Sequence, residues 1–108
     1  MALTRSFKET VKARAERDPE FRTALLGEAV EAFVAGDDDT GKALIHDYIN
    51  ATLGFEKLGE AVAIDPKNLM RMFSPRGNPR LANLSAVLRE LNRREAVHLR
   101  VEPERLAS

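Results

Sequence analysis

Between Phe55 and Phe73 the chain carries two apolar clusters at helical spacing, each too short to persist as a helix on its own. Leu58 and Val62, four residues apart, mark a segment of about two turns that begins near Phe55. Asp65-Pro66 then restarts the chain. An aspartate can accept from the free N–H groups of a first turn, and a proline there gives up no hydrogen bond. Leu69 and Phe73 mark the second short helix, ending at about Phe73. Helices in ordinary domains average about 11–12 residues, so two such short pieces across a tight turn must be held by neighbours. Leu58, Val62, Ile64, Leu69 and Phe73 are the residues expected to tie them together.

The flanking sequence supplies those neighbours, with apolar residues recurring at three and four. A first helix is expected from about Thr4 to Glu16, with Phe7 and Val11 on one face. Asp18-Pro19 caps and opens a second, whose expected buried side is Phe21, Leu25, Ala29 and Phe33, and which Gly36 stops. Asp37-Asp38-Asp39-Thr40 provides a cap and helix-start acids for a third helix to about Thr52, burying Leu44, Ile45, Tyr48 and Ile49. Ser74-Pro75-Arg76-Gly77-Asn78-Pro79 reads as a loop, and Leu81 to Arg94 as a last helix burying Leu84, Val87, Leu88 and Leu91. Val97, Leu99 and Val101 alternate with His98 and Arg100, the pattern of one short strand, which Pro103 ends.

Charge is distributed unevenly. Lys plus Arg number 17 and Asp plus Glu number 17, so the net charge is zero. That excludes a uniformly basic nucleic-acid coat. Residues 37–60 carry Lys42 and Lys57 against Asp37, Asp38, Asp39, Asp47, Glu56 and Glu60, whereas residues 66–80 carry Lys67, Arg71, Arg76 and Arg80 and no acid. One short acid-free basic window in a neutral chain predicts one anionic contact site.

That window falls on the second short helix and the loop after it. A supporting helix, a turn and a short second helix are the parts of a helix-turn-helix, whose second helix enters the major groove of DNA. At 100° per residue, Leu69, Met72 and Phe73 share one side of that helix, while Lys67 and Arg71 sit opposite with Asn68 and Met70 beside them. Lysine and arginine can donate to guanine O6 and N7, and asparagine can bond adenine at two points. Arg76, Asn78 and Arg80 suit phosphate contacts, which position without specifying. The two methionines are expected to pack.

Other chemistries lack their parts. No cysteine is present, so disulfides and thiolate metal sites are excluded. His46 and His98 are far apart and are expected at the surface, and no nucleophile, base and orienter can be assembled, so no enzyme, cofactor or metal is expected. The acidic run at Asp37 would need a bidentate glutamate at the twelfth position of a calcium loop, where Tyr48 stands. No apolar run could span a bilayer, and Met1–Glu9 turns polar too early for a signal peptide, so a cytoplasmic location is expected.

The stretch from Leu58 to Phe73 resembles the Xre/Cro-type helix-turn-helix. More specifically, the chain is similar to the antidote proteins of toxin–antitoxin modules whose partner is a RelE/HigB-like toxin. Glu31-Ala32-Phe33-Val34-Ala35-Gly36-Asp37, Ser74-Pro75-Arg76-Gly77-Asn78-Pro79 and Leu99-Arg100-Val101-Glu102-Pro103 carry that likeness, over about Pro19 to Pro103. The resemblance implies a homodimer that represses its own operon on double-stranded operator DNA and neutralises the toxin, with Lys67, Asn68 and Arg71 at recognition-helix positions. Three residues depart from the pattern: Phe55 where a phosphate-contacting polar residue is frequent, Ala63 for the usual turn glycine, and Gly59 for the usual alanine. A left-handed alanine costs about 1 kcal/mol, and a glycine weakens a helix interior.

The expected architecture is all-α: about six helices with a central, lambda-repressor-like helix-turn-helix and a short C-terminal strand. Residues 1–36 form a helical extension, 37–103 the DNA-binding domain with its strand, and 104–108 a tail. The strand has no partner in its own chain and is expected to pair across a dimer or with the toxin. A stand-alone regulator without a toxin, and an interaction module that no longer binds DNA, are the alternative readings.

Overall fold

The computed structural model describes residues 5–107, and side chains from residue 9 onward. Six helices follow in order: α1 (Arg5–Arg17), α2 (Pro19–Val34), α3 (Asp38–Ala51), α4 (Gly54–Val62), α5 (Pro66–Met72) and α6 (Leu81–Glu95). The expected start at Thr4, the side chain of Phe7 and the last residue of the tail lie outside what is described.

Three helix starts are set by local chemistry. Asp18 accepts from the Phe21 N–H at 3.1 Å, Asp37 from Thr40 at 3.3 Å and Asp65 from Lys67 at 2.8 Å. Each satisfies a donor that the first turn leaves free. The Phe21 N–H also holds the Asp18 carboxyl below its ordinary pKa. The acidic run at Asp37 therefore serves as a helix start.

α1, α2 and α3 each touch the other two, α2 packing most extensively on α3, and α4 touches α3, α5 and α6. One core runs through Leu26, Ala29, Ile45, Tyr48, Ile49, Phe55, Leu58, Leu69, Phe73, Val87 and Leu91, so it draws on residues on both sides of position 36. On α2 the buried residue is Leu26 together with Ala29, whereas Leu25 and Phe33 are half-buried. Phe21, expected inside, lies half-buried beneath the Arg14 guanidinium, 4.5 Å from its ring centre. A helix with neighbours on two sides buries a broader stripe than one apolar face predicts.

The C-terminal strand is not formed: 97–107 contains no regular structure. The alternation of Val97, Leu99 and Val101 is real, but a strand needs a neighbour to receive its backbone groups. The chain leaves α6 instead through Ala96, at φ 56°, and the Val97 N–H returns to Asn92 O at 3.0 Å. This is the two-bond helix ending that usually employs glycine. Leu99 packs against the core, while Val101 is exposed.

Two polar clusters fasten the end of α6. Glu90 accepts from Arg93 at 3.0 and 2.8 Å and from Arg94 at 2.8 Å. These bonds, Arg93's foremost, hold its carboxyl down at about 2. A carboxylate depressed in the folded state contributes stability above its unfolded pKa of about 4.3, and that contribution is lost as pH falls toward 2. Glu90→Gln should therefore lower the melting temperature at pH 6, with the gap to the parent closing between about pH 4.5 and 2. A gap independent of pH in thermal melts would show that the carboxylate charge is not what matters.

The second cluster crosses the molecule. Arg22 Nε donates to Glu95 at 2.8 and 3.1 Å, and its Nη1 donates to Ala15 O at 2.6 Å. The Tyr48 hydroxyl donates to the same carboxylate. Burial, followed by the neighbouring carboxylate, pushes the Tyr48 hydroxyl above its ordinary pKa. α1, α2, α3 and α6 are joined at this point.

Candidate nucleic-acid interface

α4 and α5 meet across Ala63-Ile64-Asp65. Ala63 is left-handed, at φ 56° and ψ 44°, the conformation the sequence implied for a position where glycine is usual. Gly59 has a structural reason of its own. A Cβ there would approach Ile64 O to 2.6 Å and Pro66 Cγ to 3.2 Å, so alanine would push the turn off α4. Leu58, Leu69 and Phe73 are buried between the two helices and α6, with Val62 and Ile64 against them. Full burial of such side chains stabilises by about 1.5–3 kcal/mol each. Phe55 is likewise buried, its ring 5.1 Å from that of His46.

With Leu69 and Phe73 inward, α5 presents its other side. Lys67, Asn68 and Arg71 are exposed, as are Arg76, Asn78 and Arg80 in the following segment. Among the described residues none of the four cations forms an ion pair. Their charges are therefore free to meet an anion. Met70 was expected to pack but is 43% exposed on the same helix, whereas Met72 is half-buried against the core. An open groove of about 420 Å³ lies beside the turn, lined by Glu56, Gly59, Glu60, Ala63, Ile64 and Pro66. Its two carboxylates, Glu56 and Glu60, disfavour an anion there, whereas Lys67 and Arg71 on α5 carry positive charge.

The loop after α5 is folded back on that helix. The Ser74 hydroxyl donates to Arg71 O at 2.7 Å, and the Gly77 N–H donates to Ser74 O at 2.9 Å. Arg76 thus sits at the third position of a hydrogen-bonded turn. Gly77 lies so close to the Arg71 and Met72 carbonyls that a Cβ would collide with both. The main chain at Gly77, next to Arg76, is thereby held against the end of α5.

Sequence reasoning missed the residue beneath this loop. Lys42 on α3 is buried, and its Nζ donates to Pro75 O at 3.0 Å and Gly77 O at 2.8 Å, with Asp39 Oδ1 3.5 Å away. The signal was present: Lys42 stands three and seven residues before Ile45 and Ile49, on the apolar stripe, where a free lysine is out of place.

No protein-family model, curated protein or solved structure matches this chain. Among the described residues, no helix is long and apolar enough to cross a membrane.

Proposed function

We propose that the protein is a sequence-specific binder of double-stranded DNA that acts as a homodimeric repressor. In this reading α4 is the supporting helix of a helix-turn-helix and α5 its recognition helix. The observation that carries it is the exposed, acid-free set Lys67, Asn68 and Arg71, without ion pairs among the described residues, on a short helix whose other side is buried through Leu69 and Phe73. Lys67, Asn68 and Arg71 meet base edges. Arg76, Asn78 and Arg80 take phosphates on either side and fix the register. Two protomers place their recognition helices about 34–36 Å apart, one turn of DNA. On the likeness of its sequence to antidote proteins, the operator is that of its own operon, and the partner is a RelE/HigB-like toxin encoded beside it.

Titration against a duplex spanning the region upstream of its own coding sequence, at several salt concentrations, tests the reading. Four cations per protomer predict a log–log slope near −7 for a dimer, from about −0.9 for each of eight contacts. Lys67→Ala with Arg71→Ala should weaken binding about 100-fold or more and abolish preference over a scrambled duplex. Binding without salt dependence, or equal binding to both duplexes, would overturn the reading. Co-purification with the product of the adjacent reading frame tests the antidote role separately.

A further inference from the structure

We propose that Lys42 is a positioning residue for the phosphate contact of Arg76, holding the turn at 74–77 in its DNA-bound shape before DNA arrives. The inference rests on the DNA-binding reading of α5. An ammonium taken out of water must find acceptors for its donors, and Lys42 finds Pro75 O, Gly77 O and the Asp39 carboxylate. The two carbonyls belong to the residues immediately before and after Arg76, so the chain is tied to α3 at the peptide that enters Arg76 and again at the peptide that leaves Gly77. The Ser74 hydroxyl, bonded to Arg71 O, ties the start of the same turn to α5, and the Gly77 N–H closes the turn on Ser74 O. The Arg76 side chain is left exposed and, among the described residues, without an ion pair. A contact held in place beforehand is not charged the entropy of ordering a loop at the moment of binding.

Lys42→Met keeps most of the aliphatic stem and removes the ammonium. With the upstream duplex, the salt slope of this variant should be shallower by about 1.8, one contact of about 0.9 lost from each protomer. In an Arg76→Ala background, Lys42→Met should change the slope no further. Circular dichroism at the assay temperature establishes that the variant is folded, and an unchanged slope in a folded variant overturns the proposal. Should the variant not fold, amide exchange in the unaltered protein without DNA decides. Protection at Gly77 comparable with that of α5 supports a prearranged turn, and rapid exchange there overturns it. Absence of salt-dependent binding by the unaltered protein is a different failure, that of the DNA reading itself, and is seen before any variant is made.

Discussion

Glu95→Ala is expected to lower the melting temperature by about 15–25 °C, from a loss of about 3–5 kcal/mol. The Glu95 side chain is 8% exposed and is the shared acceptor for Arg22 and Tyr48. Removing it leaves the Arg22 guanidinium, itself 23% exposed, without its counter-charge, and leaves the Tyr48 hydroxyl without an acceptor. The cost is that of stranded polar groups, so it exceeds what the pair contributes over an apolar replacement. The triple variant Arg22→Met, Tyr48→Phe, Glu95→Leu should accordingly recover most of the lost stability. Two results would contradict this account: a Glu95→Ala protein within about 1 kcal/mol of the parent by chemical denaturation, or a triple variant no better than the single one.

That cluster also marks the limit of what the sequence discloses. Arg22 and Glu95 are 73 positions apart, and Tyr48 and Glu95 are 47 apart. No periodicity joins them, because side-chain pairing across a core depends on where whole helices come to rest. Features governed by nearest neighbours were readable. Asp18-Pro19, Asp37 and Asp65-Pro66 start helices because a capping carboxylate needs only the N–H groups two or three residues ahead. The apolar spacing likewise located the buried sides of α3 and α6 through Ile45, Tyr48, Ile49, Val87 and Leu91.

The failures have the opposite character. Val97, Leu99 and Val101 alternate as a strand would, yet pairing is a property of two segments, and among the described residues no second strand is formed. Ala96 adopts a left-handed conformation with no local sign, whereas Ala63 was anticipated only because glycine is usual at that position of the motif. For the candidate interface, the exposed residues were readable from helical angles and charge. The support beneath them was not, since Lys42 reaches a loop more than thirty residues further along the chain. Charge patterning identifies what a surface can touch. It does not reveal what holds that surface still.

Gly77→Ala carries the second large effect and an unusual sign. In a loop residue without a positive φ, replacing glycine by alanine ordinarily stabilises by about 0.4–1 kcal/mol, because the unfolded chain loses freedom. Here the added methyl would collide with the backbone carbonyls of Arg71 and Met72, and backbone atoms cannot swing aside as the end of a long side chain can. The turn must lift from the end of α5. In doing so it strains the bond from the Lys42 ammonium to Gly77 O and the bond from the Gly77 N–H to Ser74 O. We expect a net destabilisation of about 1–3 kcal/mol, as for an overpacked interior site. Binding to the upstream duplex should fall further than Arg76→Ala alone makes it fall, since Asn78 moves with the turn. A neutral or raised melting temperature for Gly77→Ala would mean that the loop can yield without cost, and the account of a rigid turn beside α5 would have to be abandoned.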